Sequence, residues 1–278
     1  MTSLSHTVSA LAPPRVVLRH SALVRVCHWV NALSFLVLLM SGLQIFNARP
    51  GLSWGAATDF DHPFFSLSAR ENDDGSLTGV TTVFGRSFDT TGWLGASRGE
   101  DGEMEERGFP AWATLPAERD LATGRRWHFF FAWLLVFNGL VYVVNLFAGR
   151  HIFDLLPSAA DLRAIPRTIA AHARLKFPKG DEALRYNVLQ KLAYLSVVVA
   201  FPILVLAGLT MSPAMDAAFP WLAPLFHGRQ TARTLHFLLA TYLVLFVVVH
   251  LALVLLSGFF NNMRSMITGR YRIPEETR

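Results

Sequence analysis

The chain has 278 residues, of which 52% are hydrophobic and only 16% charged, with a formal net charge of +5. Soluble domains are nearer 25% charged, so this balance excludes an ordinary water-soluble enzyme and points to lipid. The one cysteine, Cys27, excludes an internal disulfide and any Cys-x-x-Cys-His attachment motif.

In chain order, residues 1–20 are a polar, Pro-containing tail. Four stretches then run for twenty residues or more without Asp, Glu, Lys or Arg: Val26–Phe46, Trp127–Ala148, Leu192–Met211 and Leu235–Gly258. About twenty apolar residues cross a hydrocarbon core of about 30 Å. The pattern predicts an all-α membrane protein, a four-helix transmembrane bundle forming a single domain. Its helices are expected at about 24–46, 127–149, 188–211 and 232–258. The first is longer than a signal-peptide core and lacks a small-residue cleavage site, so it reads as a retained span.

Between the first two spans lies a long loop, 47–125, rich in Gly, Ser, Asp and Thr, with an acidic run from Glu100 to Glu106. Loops of that length are functional or disordered. Within it the alternating segment Gly79–Phe84 suits a hairpin, and Pro110 and Pro116 punctuate its end. After the second span, Leu155–Lys176 carries Arg163, Arg167, Arg174 and Lys176 among apolar residues, broken by Pro157 and Pro166. That composition suits a helix lying on an anionic inner leaflet. The third span contains Pro202, a candidate kink. A short connection with Pro213, Pro220 and Pro224 leads into the fourth.

The charges sort by side. The N-terminal tail, the 149–191 connection and the tail after Gly258 hold 15 Lys and Arg against 6 acids; the remaining segments hold 10 against 14. Lys and Arg accumulate on the cytoplasmic side, so both termini are expected there, with the long loop on the outer side of the membrane. The net positive charge therefore reports topology, and no nucleic-acid partner is implied.

Four of the ten histidines fall in the spans: His28, His128, His236 and His250. Ionisable groups inside a bilayer are costly, so each is a functional candidate, although a lone one can simply hydrogen-bond a neighbouring helix. Depth separates them into pairs. His28 opens the first span and His250 closes the fourth, both near the cytoplasmic face; His128 and His236 open the second and fourth, both near the outer face. His236 and His250 are fourteen residues apart, a rise of about 21 Å that returns to within about 40° of the same helix face. Two imidazoles at each of two depths suit two haem b groups, an inner one on His28 and His250 and an outer one on His128 and His236. Bis-imidazole ligation leaves no open iron position, which favours electron transfer; structural zinc usually takes four ligands.

Three of these histidines follow an arginine by three residues: Arg25, Arg125 and Arg233. The spacing shares a helix face, and each arginine lies one turn toward water, placed to pair a haem propionate. Near the inner end a purely topogenic role serves Arg25 equally well. Gly42 lies fourteen residues after His28, and Gly139 lies eleven after His128. Both return to the face of their histidine at the other depth, where a missing side chain leaves room for a porphyrin, or for close helix packing. His20, His62, His151, His172 and His227 read as solvated or interfacial, and Trp29, Trp127, Trp133 and Trp221 as interfacial anchors.

The segments RVCHW (25–29), GRRWHFFFAWLLVFNG (124–139) and ARTLHFLLATYLVLFVVVH (232–250) resemble the bacterial cytochrome b561 superfamily. The likeness is to the cytochrome b subunits of nickel–iron hydrogenase, formate dehydrogenase and thiosulfate reductase, and covers all four spans. It implies two b haems ligated from helices 1, 2 and 4, exchange with quinone on one side and a partner oxidoreductase on the other. The long loop is more similar to members that work with molybdopterin-dependent enzymes. The leading expectation is an electron-transfer subunit linking the quinone pool to a periplasmic, molybdopterin-dependent oxidoreductase that docks on the 47–125 loop. Its own catalytic chemistry is not expected, since no nucleotide fingerprint or iron–sulfur cysteine set is present. The alternatives are a stand-alone quinone oxidoreductase reacting with a small oxidant, and a haem-free transporter or scaffold.

Overall fold

The computed structural model describes residues 15–59, 62–150, 152–176 and 186–273. Four long helices dominate it: α1 (Ala22–Asn47), α2 (Leu121–Ala148), α6 (Val188–Thr210) and α9 (Arg229–Leu256). All four are long and apolar enough to cross a membrane. Each begins where a polar group satisfies its first N–H groups. Ser21 caps α1, Asp120 caps α2, and Asn187 with Gln190 forms a reciprocal cap on α6. For α9 the cap comes from far away in sequence, because the Gly55 carbonyl accepts from Gln230 N at 3.0 Å. α6 continues through Pro202.

The bundle is inside-out relative to a soluble protein. Its outer faces carry Leu36, Phe130, Phe137, Val144, Leu245 and Leu255, each more than half exposed, while Ser34, Ser41, Thr210 and Thr234 are fully buried. Large apolar faces of this kind are stable only against lipid, and small polar residues let helix backbones approach. The helices associate as two pairs, α1 with α2 and α6 with α9.

The two ends of the bundle differ. At one, strand β1 (Val16–Leu18) pairs antiparallel with β8 (Arg270–Arg272), bringing the two ends of the described chain together. Short helices α3 (Ile152–Leu155), α4 (Ala159–Arg163), α5 (Ile165–Ala173) and α10 (Phe259–Thr268) complete this terminal end. Two short helices, α4 and α5, thus stand where the sequence suggested one surface helix, and Asp161 of α4 pairs Lys191 of α6 at 3.0 Å. Hydrogen bonds from the Ser158 backbone, then from Lys191 and the Ser158 hydroxyl, hold the Asp161 carboxyl at a pKa of about 2.

At the loop end, residues 47–120 form a compact β structure where a long loop with one hairpin was expected. Strands β2 (Gly51–Leu52), β3 (Phe65–Glu71), β4 (Leu77–Val83) and β5 (Arg86–Asp89) make one antiparallel sheet, and β6 (Ala96–Arg98) pairs with β7 (Met104–Glu106). The segment read as a hairpin is most of β4 and the turn after it. Phe84 and Gly85, both at positive φ, connect β4 to β5 in the two-residue turn that matches strand twist. Arg107 holds the remainder: its buried guanidinium donates to Glu105 Oε1, Phe109 O, Thr114 Oγ1 and Ala117 O at 2.6–3.1 Å. Helices α7 (Pro213–Ala218) and α8 (Leu222–Leu225) bridge α6 to α9 at this end.

Side chains of α1 rivet the β structure onto the bundle. Asn47 exchanges two hydrogen bonds with the Phe109 backbone (2.7 and 3.2 Å), and Gln44 donates to Glu118 O at 2.7 Å. Phe46, Leu52 and Leu67 form a core that also takes Phe109 and Phe237 of α9. The loop core therefore abuts the residue next to His236.

Candidate functional site

The four span histidines come together in two couples across the interval between the helix pairs. His250 of α9 faces His28 of α1 at the terminal end, with ring centroids 6.4 Å apart and planes at 53°. His236 of α9 faces His128 of α2 at the loop end, at 6.2 Å and 58°. The couples are separated by the fourteen residues of α9 between His236 and His250, about 21 Å of rise.

Both couples fit an iron held between two imidazoles. Two imidazoles sharing one metal through bonds of about 2 Å would have ring centres up to about 6.4 Å apart, so His28 with His250 and His128 with His236 are spaced to hold one between them. Among the described residues, no group of three or more His, Cys, Asp or Glu could hold a metal ion, so each level offers two imidazoles and nothing else. The Nδ1 atom of His28 is buried without a hydrogen-bond partner.

At the loop end each ring rests on the helix paired with its own. His128 places Nδ1 3.1 Å from Ser41 Oγ of α1 and also meets the Leu38 backbone; with the hydroxyl proton on Val37 O at 2.6 Å, both Ser41 Oγ and the Leu38 carbonyl are acceptors for an Nδ1–H. His236 donates from Nδ1 to Leu204 O of α6 at 2.9 Å. In both cases the remaining nitrogen, Nε2, is left for metal. A glycine lies beneath each ring, and the clearance is tight at Gly208. A Cβ on Gly42 would stand 3.4 Å from His128 Cε1, and one on Gly208 would stand 3.1 Å from His236 Cε1.

The terminal end is held differently. His250 stacks on Phe246 (6.0 Å, 12°), and His28 meets the edge of Trp29 (5.2 Å, 89°). Asn138 of α2 donates to Cys27 O at 2.9 Å and Asn31 Oδ1 at 2.6 Å, tying α2 to the turn that carries His28. Tyr186 and Tyr194 pack edge to face at 5.5 Å nearby, within electrostatic reach of Tyr142 and Arg19. A Cβ on Gly139 would meet no atom within 4 Å, so this glycine borders open space at the terminal level.

The arginines already have partners. Arg25 donates to Ile267 O at the C-terminal end of α10, a favourable place for a cation. Arg233 donates to Arg49 O and lies over the Phe46 ring at 5.2 Å. Arg125 lies over Phe129 at 5.5 Å. His20, read as solvated, is half-buried at the terminal end, where burial and then Arg19 push its pKa down to about 4. His151 lies outside the described residues.

Sequence reasoning missed Ser41, Asn138, Leu204 and Gly208. A signal for one of them, Gly208, was available. Fourteen residues separate His28 from Gly42, His128 from Tyr142, Tyr194 from Gly208 and His236 from His250, so all four helices share one register.

The prokaryotic cytochrome b561 family model matches residues 19–269. A relative from Azospira oryzae, named putative protein-methionine-sulfoxide reductase subunit YedZ1, is 29% identical over 238 residues, covering 85% of this chain and 90% of the relative.

Proposed function

This chain belongs to the prokaryotic cytochrome b561 family, membrane electron-transfer subunits carrying b-type haem, and on that premise we propose that it holds two haems and passes electrons between quinone and a periplasmic oxidoreductase. The observation that carries this reading is the pair of imidazole couples, at 6.2 and 6.4 Å, presented by one face of α9. His28 and His250 would hold the terminal-end haem, and His128 and His236 the loop-end haem. When bound, haem supplies one-electron chemistry at an iron with no open position. The protein's part is to hold the imidazoles, keep water out and set the two levels at a fixed separation. Phe46 and Phe237 shield the loop-end couple beneath the β structure. Gly42, expected to clear a macrocycle, lies under the His128 ring, and Gly139 borders the space a macrocycle would take, while Arg25, Arg125 and Arg233 stand one turn toward water with further N–H groups for propionates.

The partner would dock on the β structure of residues 47–120. Its acidic run, Glu100 to Glu106, favours a basic patch on that partner. The relative's name as a reductase subunit supports a separate catalytic protein, which we assign as molybdopterin-dependent. Quinone would exchange at the terminal end, and both termini would lie in the cytoplasm beneath the bacterial inner membrane. The test is an oxidised and dithionite-reduced absorption spectrum of the purified protein with haem stoichiometry. Two low-spin b haems per chain are expected; a colourless preparation ends the reading.

A further inference from the structure

α6 carries none of the four histidines, yet its backbone holds one of them. The Leu204 carbonyl accepts from His236 Nδ1 at 2.9 Å, and the bare Gly208, four residues on and one turn along, lets the ring lie against the helix. α1 repeats the device for His128, with the Ser41 hydroxyl as acceptor and Gly42 as the clearance. We propose that these two seats, Leu204–Gly208 on α6 and Ser41–Gly42 on α1, are positioning elements that fix the Nδ1–H tautomer of the loop-end imidazoles and strengthen them as electron donors to iron.

The physical reason is the chemistry of imidazole. Its two nitrogens share one π system, so an acceptor on Nδ1–H draws the proton outward and raises the basicity of Nε2. A more basic ligand stabilises ferric iron over ferrous iron and lowers the reduction potential. Each seat lies within its own helix pair, α1 with α2 or α6 with α9, so the hydrogen bond orients the ring before anything enters between the pairs. At the terminal level the same register holds Tyr142 and Tyr194 in place of glycine, and His28 Nδ1 has no partner among the described residues. The seats therefore act on one haem only.

The inference rests on the two-haem reading, and a spectroelectrochemical titration separates the two. Purified, haem-loaded parent protein should give two one-electron waves, and His250→Ala, which empties the terminal-end site, identifies which wave is which. In Gly208→Ala the added methyl, 3.1 Å from His236 Cε1, pushes the ring back by a few tenths of an ångström and weakens its hydrogen bond to the Leu204 carbonyl. Alanine favours helix over glycine, so the helix itself gains. The expected result is a shift of about tenfold in the ferric/ferrous equilibrium toward ferrous iron, about 59 mV for one electron, in the loop-end wave alone. The low-spin electron paramagnetic resonance signal of that haem should move with it. Ser41→Ala should act in the same direction on the same wave without adding bulk. Loop-end waves unchanged in both variants, or terminal-end waves shifted equally, overturn the seats while the two haems stand. A parent protein with no waves overturns the two-haem reading and the inference with it.

Discussion

At the loop end the four long helices present Gly42, His128, Gly208 and His236; fourteen residues away on the same faces they present His28, Tyr142, Tyr194 and His250. The scaffold is shared and the filling is different. Glycine at the loop end lets each imidazole lie on a neighbouring helix and find an acceptor there, which fixes both ring position and tautomer. Aromatic residues at the terminal end constrain the rings through packing, with Phe246 stacked on His250 and Trp29 edge-on to His28. Stacking orients a ring plane but leaves Nδ1 unassigned. Two sites of the same ligand type can thus be given unequal electronic character by one residue choice per helix.

The largest expected effect breaks the comparison into its halves. His250→Ala should lower the haem content from two per chain to one, leaving the loop-end haem, and His236→Ala should leave the terminal-end haem. Pyridine haemochrome assays count the survivors, and loss of the same haem in both variants would contradict the pairing. Next comes Arg107→Ala. It strips the carbonyls of Phe109 and Ala117 and the Thr114 hydroxyl of their buried donor, at a cost of about 3 kcal/mol. Limited proteolysis should then cut within residues 47–120, and the loop-end haem should become accessible to hydrophilic reductants while the terminal-end haem does not.

Gly139→Leu sharpens the comparison from the other side. Among the described residues, no atom outside its own stretch of helix lies within 4 Å of a Cβ there, so the fold should tolerate the change, and only the terminal-end haem content should fall. Full occupancy of both sites would show that this space is not the cofactor's. The smallest effect is expected at Asp161. Its carboxyl is held at a pKa of about 2 against an ordinary 3.8, so its contribution to stability is complete above about pH 4 and is lost as pH falls through about 2. Asp161→Asn should flatten that acid limb in thermal melts of the detergent-solubilised protein and leave the loop-end wave unchanged.

Much of this was legible from sequence because a bilayer imposes simple rules. Twenty uncharged residues mark a span, and a rise of about 1.5 Å per residue converts the numbers 28, 128, 236 and 250 into depths. The β structure was less legible. The segment at Gly79–Phe84 alternates, but its partners, β3 and β5, are chosen by pairing register, and Arg107 organises its neighbours through carbonyls that no composition reveals. Gly208 was overlooked because glycine is common in membrane helices, and nothing local distinguishes one that lies under an imidazole.

The sequence by itself determined the number of spans, the depth of each histidine and which helix carries two of them, since those follow from hydrophobic length and helical rise along one chain. Only the tertiary structure decided which backbone each ring rests on. That choice depends on how α1 turns against α2 and α6 against α9, a rotation set by packing many side chains at once. It places Ser41 Oγ and Leu204 O at 3.1 and 2.9 Å from the Nδ1 atoms of His128 and His236.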